Sequence, residues 1–111
     1  MNIEIVAEIA QGYEGNSKLA ELLVKGAIAA NADSVKLQLV YADELCVPEY
    51  EYFELFRSLE MKEEVWEGLV KMVKEANKKI YFDVYGEKSV RLAYKLKADG
   101  VKISTTDFYN D

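Results

Sequence analysis

Ser34-Val35-Lys36-Leu37-Gln38-Leu39-Val40 sets aliphatic residues at alternate positions against a lysine and a glutamine. Side chains alternate across a strand, so Val35, Leu37 and Leu39 share one face while Lys36 and Gln38 share the other. The run is too short, and too apolar on one face, for a helix. One face therefore belongs to a core, and the other carries chemistry.

Outward from this strand the chain repeats a pattern. Before it, Ile3 to Ile9 alternates as a first strand and ends at Gly12-Tyr13-Glu14-Gly15. Asn16 is placed to cap a helix over residues 17–30 whose stripe is Leu19, Leu22, Leu23, Gly26, Ala27 and Ala30. After it comes a long connection, Tyr41 to Met61, with the only proline, Pro48, and an aromatic cluster in which Phe53, Phe56 and Arg57 suggest a short helix. These aromatics read as anchors onto the core, with a substrate lid as the less favoured reading.

A helix over residues 62–77 buries Trp66, Leu69, Val70 and Val73, with acids early and lysines late to match its dipole. Ile80 to Tyr85 is the third strand, Glu87 to Lys97 a helix with Val90, Ala93, Tyr94 and Leu96 inward, and Val101 to Thr106 the fourth strand. The order β-α-β-α-β-α-β belongs to parallel strands joined by helical crossovers. A dinucleotide-binding sheet would need Gly-x-Gly-x-x-Gly after its first strand, and Gly12-x-x-Gly15 does not supply it. The expected fold is α/β, the first half of a (β/α)8 TIM barrel, with residues 1–111 as one partial-barrel domain.

Composition narrows the function. With 111 residues, the chain is well below the roughly 250 of a complete barrel. The 20 acids exceed the 14 bases, which argues against nucleic acid or an anionic membrane as the partner. Glu4 and Glu8 interrupt the only early apolar run, so neither a signal peptide nor a membrane span is expected. The single cysteine, Cys46, fits a reducing cytoplasm. Histidine is absent, so no histidine base or ligand operates within these residues.

The polar faces of the strands carry Glu8, then Lys36 and Gln38, then Asp83, then Lys102, Ser104 and Thr106. In a parallel barrel the C-terminal ends of the strands form the active mouth, where Glu8, Gln38, Ser104 and Thr106 could meet. Two lysines flanking a hydroxyl make a phosphate or carboxylate site, and a carboxylate beside them could orient water or move a proton. The competing explanation is structural, with Glu8–Lys36 and Asp83–Lys102 as two buried ion pairs completing a core.

Several stretches resemble the sialic acid synthase family, the N-acetylneuraminate synthases and their relatives. Ala7 to Gly15 is similar to the family's Ala-Glu-Ile-Gly-x-Asn-His-x-Gly, and Ala32 to Gln38 to its Ala-Asp-Ala-Val-Lys-Phe-Gln. Ala42 to Leu45, Pro48 and Tyr52 to Phe56 resemble its long second connection, and Lys102-Ile103 with Asp107 its Lys-Ile-Ala-Ser-Gly-Glu/Asp. The resemblance implies a carbon–carbon bond-forming transferase that condenses phosphoenolpyruvate with an N-acylated amino sugar such as N-acetylmannosamine, releasing phosphate. It also implies a divalent metal, Mn or Mg, whose histidine ligands this sequence lacks.

By matching position, Lys36 and Lys102 would hold phosphoenolpyruvate, Glu8 would lie near the metal and the reacting water, and Gln38 and Asp107 would contact the sugar. The sequence departs from the family at Gly12-Tyr13, where Asn-His is expected, and at Phe82-Asp83-Val84-Tyr85, where Ser-Thr-Pro-Phe is expected. The alternative is a non-catalytic half-barrel that binds an anion or pairs with itself. The partner would then be a second copy, or else the remainder of the barrel.

Overall fold

A computed structural model describes residues 3–103. The strands are β1 (Val6–Ala10), β2 (Ser34–Gln38), β3 (Lys79–Val84) and β4 (Gly100–Ile103). Between them run α1 (Ser17–Ala29), α2 (Ala42–Leu45), α3 (Phe53–Ser58), α4 (Glu63–Glu75) and α5 (Glu87–Lys95). All three strand pairings are parallel, in the order β1-β2-β3-β4. This is the α/β half-barrel that the alternation predicts. No helix among the described residues is long and apolar enough to cross a membrane.

The core fills one face of the sheet. Val35 and Leu37 of β2 and Ile80, Phe82 and Val84 of β3 meet Trp66, Leu69, Val70 and Val73 of α4, the face predicted for that helix. Tyr13 stacks edge-on against Trp66 at 5.4 Å, and Trp66 edge-on against Phe82 at 5.5 Å, so three rings tie the first loop to the centre of the sheet.

Two helix faces differ from expectation. On α1 the buried residues are Ala20 and Val24, with Leu23, Ala27 and Ile28 packed beside them, while Leu22 stands exposed. The helix has two adjoining apolar stripes, and the sheet takes the one with small residues at its centre. On α5 the buried set is Ser89, Leu92, Ala93 and Leu96, and Val90 and Tyr94 point outward. Both helices border the outer strands of the sheet, so part of their apolar surface has no neighbour within the described chain.

Helix ends follow a shared device. Asn31, Asn77 and Lys97 adopt left-handed φ of 62°, 58° and 59° just past α1, α4 and α5. The next amide then reaches back to close each helix: Ala32 N to Ala27 O, Lys78 N to Val73 O and Ala98 N to Ala93 O, each at 3.1 Å. After two of these stops comes the same Ala-Asp. Asp33 accepts from Ile5 N at 2.7 Å and Asp99 accepts from Ile80 N at 2.8 Å, so each aspartate locks its strand to the preceding one.

The first two strands are shorter than predicted, and β3 keeps the predicted length one residue earlier. β1 starts at Val6 rather than Ile3, although Ile5 is already bonded to Asp33, and β2 ends at Gln38 with Leu39 and Val40 buried beyond it. β4 is described to Ile103.

The long second connection carries the predicted helix α3 and an unforeseen one, α2, whose first amide, Ala42 N, donates to Glu60 at 2.9 Å. Gly15 holds the first loop against this excursion. Its φ is +71°, and a Cβ there would sit 2.0 Å from Ser58 O, so no larger residue fits.

Candidate functional site

The inner face of the half-barrel assembles from alternate residues of the strands. Glu8 pairs in register with Lys36, Gln38 with Asp83, and Asp83 with Lys102. Lys36 is the centre of the group. Its Nζ lies 2.9 Å from Glu8 Oε1 on one side and 3.6 Å from Asp83 Oδ1 on the other. Tyr81, also on this face, reaches over β2 to donate to Glu4 at 2.8 Å.

The expected pairing is half right. Glu8–Lys36 forms, but Asp83 turns to Lys36, and no Asp83–Lys102 ion pair occurs among the described residues. The reason is depth. The Lys36 side chain is 18% exposed and Asp83 11%, whereas Lys102 sits on the exposed outer strand and acts on Asp83 only through its charge.

The same depth sets the protonation balance. The Glu8 hydrogen bond, followed by the Asp83 charge, raises the Lys36 ammonium above its usual range against the opposing pull of burial. Asp83 is also raised, because burial and the Glu8 charge outweigh Lys36 and Lys102. Its Oδ1 is buried and has the Lys36 charge nearby, but no hydrogen-bond donor within reach among the described residues. The cluster thus holds one firmly charged lysine and one carboxyl that retains its proton more readily than usual.

Gln38 lies half-buried at the C-terminal end of β2, on the same face. Its carbonyl accepts from the Tyr13 hydroxyl at 2.7 Å. Tyr13 is a residue that the sequence reading missed. Burial, with the Tyr85 charge adding to it, pushes its hydroxyl well above the ordinary tyrosine range, so it stays a neutral donor that fixes the end of β2. The available signal was its place between Gly12 and Gly15, where a large aromatic in a tight loop must turn inward. Ser104, Thr106 and Asp107 lie outside the described residues.

A second group gathers at the same end of the strands. Glu44 of α2 accepts from Lys88 N at 2.7 Å and from Ser89 N at 3.3 Å, capping α5 from a distance. Gly86 makes room, since a Cβ there would stand 2.6 Å from Glu44 Oε2. Lys88 bonds Asp43 and lies 5.7 Å over the Tyr41 ring. Tyr41, Asp43, Phe53, Arg57, Glu60 and Lys88 enclose a cleft of about 210 Å³. The connection is held by the carboxylates of Glu44 and Glu60 rather than by its aromatic cluster: Tyr50 and Tyr52 stand exposed, and Phe53 and Phe56 are half-buried outside the core, so the expected aromatic anchor onto the core does not form.

The described residues do not fit a divalent metal. No group of three or more carboxylate, cysteine or histidine side chains converges among the described residues, and the gap between Glu8 and Asp83 is filled by the Lys36 ammonium.

No family model matches the chain. It is 28% identical over 103 residues to the uncharacterized protein MJ1065 of Methanocaldococcus jannaschii, covering 93% of this chain and 31% of that one. Among solved structures, it aligns with the N-acetylneuraminic acid (sialic acid) synthetase from Leptospira borgpetersenii serovar Hardjo-bovis, solved in complex with citrate. That match has a TM-score of 0.84 at 18% identity and covers 95% of this chain and 38% of the other. It also aligns with the spore coat polysaccharide biosynthesis protein spsE from Bacillus subtilis, with a TM-score of 0.69 at 27% identity, covering 93% of this chain and 30% of the other. The chain thus spans about a third of the length of each of these proteins, and shares the fold of part of the two solved structures.

Proposed function

We propose that this half-barrel supplies one side of a sugar-biosynthetic site. The site would condense phosphoenolpyruvate with an N-acylated amino sugar to a nonulosonic acid and release phosphate. The observation that carries the reading is Lys36, a charged ammonium on the inner face of a parallel half-barrel, in a fold shared with a sialic acid synthetase.

In this reading Lys36 binds the phosphate or carboxylate of phosphoenolpyruvate, and Lys102 adds a second positive charge from the next strand but one. Glu8, half exposed beside Lys36, orients the attacking water and accepts its proton. Asp83 stands in place of the family's threonine, and the Lys36 ammonium 3.6 Å away and the Lys102 charge offset its negative charge toward a bound anion. Gln38 contacts the sugar, and by sequence position alone Asp107 joins it while Ser104 and Thr106 add hydroxyls to the anion site. The divalent metal of the family would need ligands beyond those described here, and no step is assigned to it.

The internal balance of Glu8 and Asp83 around Lys36 favours one other reading, a binding module without catalysis. Titrating phosphoenolpyruvate into the chain by calorimetry tests the anion site, and Lys36→Met should weaken binding at least about tenfold. Sugar-dependent phosphate release is then assayed in the chain and in any longer chain that contains it. Binding without release in both leaves the module, and absence of binding overturns the anion site itself.

A further inference from the structure

Lys36 is shared by two carboxylates that hold it unequally. Glu8 Oε1 lies 2.9 Å from its Nζ and its side chain is nearly half exposed, while Asp83 Oδ1 lies 3.6 Å away on a side chain that is almost wholly buried. An ammonium carries three N–H donors, so Lys36 can keep its Glu8 bond and still receive an anion. An anion on Lys36 then lies beside Asp83 as well.

Asp83 is fixed where it stands. Its strand lies between β2 and β4, with Gln38 opposite it on one side and Lys102 on the other, and its carbonyl accepts from Leu39 N at 3.0 Å. Its carboxylate Oδ1 is buried, with no hydrogen-bond donor in reach among the described residues. The charge it carries is therefore compensated by Lys36 at close range and by Lys102 from further off. The other charged group that faces it is Glu8, which repels it, and Tyr81 and Tyr85 lie two residues away on either side along the chain.

An anion on Lys36 draws away this compensation and adds a second repelling charge. A buried carboxylate in that position is much less stable than the neutral acid, so the carboxyl takes up a proton instead. From this arrangement we infer that an anion binds Lys36 together with one proton, taken from solvent onto Asp83, so that the site tightens as the pH falls. The coupling is reciprocal, since whatever the anion does to proton affinity the proton does to anion affinity. Burial already raises the Asp83 carboxyl in the free chain, and the charge of the anion acts in the same direction as that of Glu8. A neutral residue here, such as the threonine of the sialic acid synthases, would give no such coupling. Asp83 is thus the residue that makes the site responsive to pH. The inference rests on Lys36 as an anion site and requires no turnover.

Sulfate is the probe, because it stays doubly charged from about pH 8 to about pH 4.5, so any proton taken up belongs to the protein. Calorimetric titration of sulfate into the chain at constant ionic strength should show affinity rising at least about fivefold over that range. Followed by NMR, the Asp83 carboxyl should titrate at higher pH with sulfate bound than without it. Asp83→Asn should bind sulfate at least about fivefold more tightly than the native chain at about pH 8, and with the same affinity throughout the range. Circular dichroism checks that this variant folds; Asp83→Thr replaces it if it does not, and the NMR titration needs no variant. Sulfate binding indifferent to pH, or a rise that persists in Asp83→Asn or follows Glu8 in the NMR titration, overturns the coupling and leaves the anion site standing. Sulfate that binds neither the native chain nor the variant overturns the anion site and the coupling with it.

Discussion

β2 and β4 are spelled almost alike and live differently. Val35 is 1% exposed and Val101 48%, while Leu37 is fully buried and Ile103 63% exposed. Lys36 is held by two carboxylates, whereas Lys102 acts on Asp83 through its charge alone. Since the residues match, the difference comes from position. β2 has a strand on each side and helices above, and β4 is the last strand described. A strand's sequence says what it is able to bury, and its neighbours decide what it does bury.

The two strands should differ most in the core. Leu37→Ala removes a fully buried side chain beside Phe82 and Ile80 and should lower stability by about 2–5 kcal/mol in urea unfolding. Its counterpart Ile103→Ala, in chain diluted below any self-association, should cost under about 0.5 kcal/mol. Equal losses would mean that β4 is already covered in the single chain.

The lysines should differ next. Lys36→Met strands Asp83 without its cation and should cost about 1–2 kcal/mol, less than a fully buried pair because Glu8 is nearly half exposed. Lys102→Met should stay within about 0.5 kcal/mol. A smaller loss for Lys36 than for Lys102 would contradict the geometry.

The pH dependence sharpens the same contrast. Because the Lys36 pKa is raised on folding, its contribution is full below the ordinary lysine value and fades as pH rises through the higher folded value. Asp83, also raised, contributes at acid pH and loses that contribution as pH rises through its folded value. Stability measured up to strongly alkaline pH should therefore fall more steeply in the native chain than in Lys36→Met, with Lys102→Met following the native curve.

The smallest difference between paired positions should run the other way. Asp33→Ala and Asp99→Ala each remove one strand-locking hydrogen bond worth about 0.5–1.5 kcal/mol. The Asp99 bond to Ile80 is partly buried and the Asp33 bond to Ile5 is exposed, so Asp99→Ala should be the costlier change by urea midpoint.

The sequence carried the α/β alternation, the parallel order, the buried face of α4 and the polar face from Glu8 to Lys102, because each rests on a period within one element. It did not carry the choice between two apolar stripes on α1, the outward turn of Val90 and Tyr94, or the inward turn of Tyr13. Each of those is settled by which neighbour is present. Nor could it say that Asp83 would prefer Lys36 to Lys102. Both lysines stand on strands adjacent to Asp83, and only the three-dimensional sheet makes one central and the other peripheral. Spacing along the chain fixed which residues face inward, and burial, a property of the whole assembly, decided which charges hold each other.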